Sequence, residues 1–344
     1  MDNLRWIRFA VIVIALAIVV VILKELKAVF VPLTFALLLT FIFMPLQRFL
    51  RRRGVPGAVV VIIMVVIIFF TFTIAGTLVY TGVASFIDAM PRFMNNVVQL
   101  AEDIALRFEI PIEDVQKTIR EIDWTDMFDR FRLQDRVQGT LGTFADFLLK
   151  LGTTIVFMVF IVAGRERLLV RIYKTMTNKE QEHSQNIFIQ IEEQIIKYLF
   201  TKSLVSLATA LVGMFFVWLF GVEFVIVSGL LLFILNFIPN IGSIIASAFP
   251  IIVCFFQYGL SWRLVGLAVT LILTQAAFGT LIEPRLVGSK LNLAPIVILI
   301  SLIFWAWVWG PVGMVLAVPF AAVLAIFARE FESLKLLSAL LSDD

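Results

Sequence analysis

Residues 224–262 read FVIVSGLLLFILNFIPNIGSIIASAFPIIVCFFQYGLSW, without one charged side chain. As one straight helix this stretch would reach about 58 Å at 1.5 Å per residue. The hydrocarbon core of a bilayer is about 30 Å thick, and tilt does not absorb an excess of that size. The stretch must therefore fold back as a hairpin or cross twice. Its middle supplies the means in Pro239, Asn240 and Gly242. Proline removes a backbone donor and clashes with the preceding turn, and glycine accepts the irregular angles that follow. Residues 291–328 are also uncharged and are broken in the middle, at Gly310, Pro311 and Gly313. In both stretches an alanine stands four residues after the glycine (Ala246, Ala317) and a further proline follows (Pro250, Pro319). The proline spacing differs, so the internal repeat is approximate.

The rest of the chain has the same character. Of 344 residues, 61% are hydrophobic and 15% charged, against about 45–50% and about 25% in a soluble domain. Further uncharged runs occupy 28–46, 54–87, 203–222 and 264–282, while 7–23 carries only Arg8 and a run starting at 140 is clean over 151–164. The expectation is an all-α polytopic membrane protein with about eight transmembrane helices and two Pro/Gly-broken, hairpin-like segments in the C-terminal half. The first run is read as an uncleaved span, because no A-x-A-like site follows it and a second apolar run begins at once. A single cysteine, Cys254, and a single histidine, His183, exclude an intrachain disulfide framework and a multi-histidine metal site. A net charge of +3 leaves no footprint for nucleic acid. No nucleophile–base pair or phosphate loop supports an enzyme, and no cofactor is implied.

Basic residues set the expected orientation. Arg5 and Arg8 precede the first run, and Arg48, Arg51, Arg52 and Arg53 follow the second. Residues 164–202 hold seven basic and five acidic side chains, whereas 83–139 hold seven and eleven. The reading is N-terminal transmembrane helices over 1–82, an amphipathic extracytoplasmic segment over 83–139, and a span with cytoplasmic amphipathic helices over 140–202. A transport core over 203–328 and a cytoplasmic tail over 329–344 complete it, with both termini cytoplasmic. Lys24 and Lys27, in a short outer turn, run against this. The arginine run 48–53 reads as a topology anchor or as an anionic-lipid site. Phe86, Met90, Phe93, Val97, Ala101, Ile104 and Phe108 recur at helical spacing, as do Ile187, Ile191, Ile195 and Leu199. Such helices lie on the bilayer surface or pack against protein.

Backbone that is not helical at membrane depth survives only when buried in protein or lining a wet cavity. Paired broken segments point to a transporter's solute site; the plainer alternative is two tight turns. Asn236, Pro239, Asn240, Gly242, Gly310, Pro311 and Gly313 are the candidate substrate-binding residues. Glu283 and Arg285, which flank Pro284, are candidates for a gate or for ion coupling. Asn236, Asn240, Gln257, Gln275 and Asn292 are uncharged groups able to read a polar solute or to bridge helices. Trp305, Trp307 and Trp309 read as interfacial tryptophans or an aromatic cage. With no carboxylate in mid-span, a small neutral or weakly charged polar solute is favoured over a proton pump.

The stretches LNFIPNIGS (235–243), LIEPRLVGSKLNLAP (281–295) and LIFWAWVWGPVGMVLAVP (302–319) resemble the signature of the autoinducer-2 exporter family of bacterial membrane proteins. VPLTFALLLTFIFMPL (31–46) is similar to that family's second span, and the resemblance covers nearly the whole chain. It implies about eight spans, a homo-oligomer (a pentamer in known cases), an inner-membrane location and a role in quorum sensing. Members have been assigned export of autoinducer-2, and others sodium/proton antiport. Pro239, Asn240, Gly242, Glu283, Pro284, Arg285, Gly310, Pro311 and Gly313 fall on the family's shared positions. Met44, where an asparagine often stands, and Asn292, in a loop often richer in glycine, depart from the pattern. The leading expectation is a secondary transporter exporting autoinducer-2 or a related small polar metabolite. The rivals are a sodium/proton antiporter and a non-transporting oligomeric scaffold that binds a partner through 83–139.

Overall fold

Charge-free sequence of this kind has one solution to its backbone hydrogen bonds, and the chain adopts it. The computed structural model describes residues 2–107, 134–173, 178–239, 241–287 and 294–330. Over these residues the chain is helical and contains no strand. In order, the helices are α1 (Asp2–Glu25), α2 (Lys27–Arg52), α3 (Gly57–Arg107), α4 (Gln134–Tyr173) and α5 (Asn178–Leu219). Then come α6 (Val225–Leu235), α7 (Ile241–Tyr258), α8 (Trp262–Ala276), a π-helical turn (Ala277–Ile282), α9 (Glu283–Val287), α10 (Pro295–Trp309) and α11 (Pro311–Glu330). Among the described residues, six stretches are long and apolar enough to cross a membrane: Lys27–Arg52, Gly57–Glu102, Asp146–Arg165, Glu192–Leu219, Ile241–Tyr258 and Trp262–Leu286. The expected all-α polytopic class is the observed one.

Both broken stretches fold back as pairs of helices. The first becomes α6 and α7, packed on each other, and the second becomes α10 and α11. With 11 residues, α6 spans only about 16 Å, roughly half the hydrocarbon thickness. The breaks themselves follow local chemistry. Pro295 and Pro311 open their helices, at positions where a missing backbone donor costs nothing. Gly310 ends α10 with φ 67°.

The chain forms two compact units, and the division falls inside α3, α4, α5 and α9. One unit comprises 1–66, 151–201 and 286–344, and the other 67–150 and 202–285. In the second unit the core gathers Phe93, Ala210, Val217, Leu232, Ala246, Val253, Leu267 and Leu271. Phe86 and Met90 pack against that core, and the rings of Phe93 and Phe256 stack at 5.9 Å. The amphipathic stretch after residue 86 is thus the continuation of α3, packed against protein. Its last expected member, Phe108, lies outside the described residues. In the first unit Ile195, Tyr198 and Leu199 of α5 pack with Val318, and Val308, Trp309 and Leu316 form a second cluster. The stripe on 187–199 is therefore a packing face at its C-terminal end.

Candidate functional site

Polar side chains inside apolar helices need partners, because each unpaired group costs several kcal/mol away from water. In the second unit several of them meet in one seam, while among the described residues Ser228 Oγ and Ser261 Oγ are buried without a hydrogen-bond partner. Lys202, Ser206 and Thr209 lie on α5 at steps of four and three, so they share a helix face, and all three are buried. Lys202 is 4% exposed, and its Nζ donates to both carboxylate oxygens of Glu283, at 2.7 and 2.8 Å. The Glu283 side chain is 20% exposed. One turn further along α5, Ser206 Oγ accepts from Asn236 Nδ2 at 2.9 Å. Asn236 Oδ1 in turn accepts from Ser243 Oγ at 3.4 Å. Nearby on α8, Gln275 Nε2 donates to Ser247 Oγ at 3.4 Å.

Local backbone places these groups. Glu283 follows directly on the π-helical turn Ala277–Ile282. A π turn shifts every later side chain around the helix relative to an α register, and such turns concentrate at functional sites. Asn236 caps α6, at the point where the chain turns towards Pro239. Gly242 then brings α7 against α6. A Cβ built on it would lie 1.8 Å from the carbonyl oxygen of Leu235. The space beside this glycine is thus filled by the hairpin's own backbone.

The second hairpin, in the other unit, repeats this contact with different surroundings. A Cβ on Gly313 would lie 1.9 Å from the carbonyl oxygen of Trp305. Around it the side chains are aromatic: Trp305 packs on Trp309 at 4.8 Å and on Phe320 at 4.2 Å between ring centroids. Trp309 Nε1 donates to the Leu23 carbonyl at 2.9 Å. Ser301 Oγ ties the two arms by donating to the Ala317 carbonyl at 2.9 Å. Trp307 is exposed, with the Lys24 ammonium 4.1 Å from its ring centroid.

The residues singled out by sequence thus fall into two groups. Asn236, Pro239, Gly242, Glu283 and Arg285 belong to the second unit, and Gly310, Pro311 and Gly313 to the first. The structure joins Asn236 and Glu283 through successive turns of α5. Arg285 and Pro311 are exposed. Asn240 and Asn292 lie outside the described residues. Gln257 accepts the backbone N–H of Glu223 at 2.9 Å, and Glu223 also pairs with Arg92 at 3.0 Å. Sequence reading offered Glu283 and Arg285 as a gate or coupling pair and counted Lys202 among the basic residues of 164–202; the observed partner of Glu283 is Lys202. The signal was present in IIKYLFTKSLVSLATALVG (195–213), where Lys202 is set in apolar sequence at helical spacing from Ser206 and Thr209.

The comparisons with known proteins point the same way along the whole chain. A family model described as AI-2E family transporter matches residues 9–333. The chain is 29% identical to the AI-2 transport protein TqsA of Escherichia coli K12, over 96% of this chain and 95% of that protein. It is 28% identical to a Haemophilus influenzae protein named for transport without a substrate, over 96% and 95% of the two chains. The Bacillus subtilis protein YrrI, also named for transport only, is 24% identical over 89% and 87%.

Proposed function

The chain belongs to the AI-2E transporter family, and from that premise we propose that it exports a small polar metabolite, with autoinducer-2 as the leading cargo. The observation that carries this reading is the seam of Lys202, Ser206, Asn236, Ser243 and Glu283, polar groups collected inside helices that are otherwise apolar. An ammonium, a carboxylate, an amide and hydroxyls can exchange their mutual hydrogen bonds for those of a neutral, hydroxyl-rich solute. No change of net charge is needed for that exchange. Asn236 and Asn240 read the solute, and Glu283 and Arg285 act at the mouth. Pro239, Gly242, Gly310, Pro311 and Gly313 hold the two breaks in shape. The similarity to a protein named for AI-2 transport supports the choice of cargo. The protein sits in the bacterial inner membrane as a homo-oligomer with both termini in the cytoplasm.

The test is efflux from proteoliposomes preloaded with autoinducer-2, with and without imposed sodium and pH gradients. Gradient-sensitive efflux above that of empty liposomes is the expected result, and it is lost in Asn236→Leu protein that still inserts and assembles. A second reading, sodium/proton antiport, is favoured by one observation: Glu283 is a half-buried carboxylate within reach of a buried ammonium. Proton movement on addition of sodium, without movement of autoinducer-2, would replace the first reading with the second.

A further inference from the structure

The end of α2 and the start of the α5 span border an open cleft in the first unit. Its volume is about 320 Å³, and it is lined by Pro45, Arg48, Glu193, Ile196, Lys197 and Phe200. We propose that this cleft binds the phosphate of an anionic phospholipid, with Arg48 and Lys197 as its cationic ligands.

The charges around the cleft do not balance. Arg48 Nη2 donates to Glu192 Oε1 at 2.5 Å, but Glu192 is shared, because its other oxygen accepts from Arg165. Taking the charged groups that line the cleft (Arg48, Lys197, Glu193) together with the Glu192 and Arg165 bridged to Arg48, three cations meet two carboxylates and leave one positive charge. That surplus matches the single negative charge of a phosphodiester. Arg48 keeps further donors for it, since a guanidinium has five N–H groups in a fixed fork. Lys197 is exposed and forms no ion pair among the described residues.

Position and walls identify the source of the phosphate. Arg48 stands in the last turns of the Lys27–Arg52 span, and Glu193 and Lys197 in the first turns of Glu192–Leu219. The cleft thus lies at the ends of two apolar stretches, where headgroups meet hydrocarbon. Pro45, Ile196 and Phe200 offer apolar surface beside the cations, which suits an acyl chain and not a hydrated free phosphate. Basic pockets between transmembrane helices hold lipid headgroups by this combination. An anchoring role alone would need only positive charge near the helix end, without regard to where it points.

The experiment uses the purified full chain in detergent, with native mass spectrometry reading the lipid that stays bound. Phosphatidylglycerol and phosphatidylcholine with the same acyl chains are the probes. The expected result is retained phosphatidylglycerol, no retained phosphatidylcholine, and about fivefold weaker phosphatidylglycerol binding in Lys197→Gln. Arg52→Gln removes an exposed cation outside the cleft and leaves binding unchanged. Arg48→Gln loses more than Lys197→Gln, but it also frees Glu192, so Lys197→Gln is the deciding variant. Three results would each overturn the proposal: equal retention of phosphatidylcholine, wild-type binding by Lys197→Gln, or an equal loss in Arg52→Gln. Displacement of the lipid by millimolar inorganic phosphate would overturn its assignment to a lipid.

Discussion

The hairpins α6–α7 and α10–α11 solve one problem in two chemistries. Each turns an uncharged stretch back on itself, and each sets a glycine against the carbonyl of the arm before it, Gly242 on Leu235 and Gly313 on Trp305. Each also buries an alanine four residues on, Ala246 and Ala317. Around that shared contact they diverge. The first is bonded through Asn236 to Ser243 of its own second arm and to Ser206, on the α5 face that also carries Lys202. The second is filled by Trp305, Trp309 and Phe320. A hairpin closed by rings has little to exchange with a solute. One closed by amide and hydroxyl groups can trade partners. The likeness lies in the backbone and the difference in the side chains, and it is on this difference that the proposed solute site is placed at the first hairpin.

The comparison can be broken in several places. The largest effect is expected from Lys202→Met, which strands a half-buried Glu283 and costs about 3–5 kcal/mol. The double variant Lys202→Met/Glu283→Leu should recover most of that stability in SDS-unfolding titrations, while transport stays lost. Equal losses in the single and double variants would remove the ion pair from the account. Next come Gly242→Ala and Gly313→Ala. Both force a Cβ into a backbone carbonyl, at a cost of about 3 kcal/mol, the upper end for overpacking. Thermal scans of solubilised protein should show matched losses, and a loss in one hairpin only would confine their likeness to sequence.

A smaller effect is expected from Asn236→Leu, about 0.6–1.7 kcal/mol for interhelical hydrogen bonds within a membrane, together with loss of efflux. Normal efflux in that variant would sink the seam as a solute site. The smallest effect belongs to Ser301→Ala. It drops one hydrogen bond to the Ala317 carbonyl, costing about 0.6 kcal/mol, the average for an interhelical hydrogen bond within a membrane, and leaves efflux rates as in the wild type.

The membrane class, the fold-back of 224–262 and 291–328, and the places of the breaks were legible in the residues. These depend on hydrophobic length and on backbone chemistry at Pro239, Gly242, Gly310, Pro311 and Gly313, and such properties act within a few residues of where they are written. Glu283 was legible as a candidate too, because a carboxylate beside an apolar run stands out wherever it pairs. Its partner was not. Lys202 is 81 residues away, and Glu192, which holds Arg48, is 144 residues away. Which faces of two distant helices meet depends on the packing of the whole unit, and at Glu283 also on the phase shift of one π turn. The sequence alone determined that this chain folds within a bilayer and where it must bend. Only the tertiary structure decided which polar groups satisfy one another once water is absent, because no local rule chooses among distant partners.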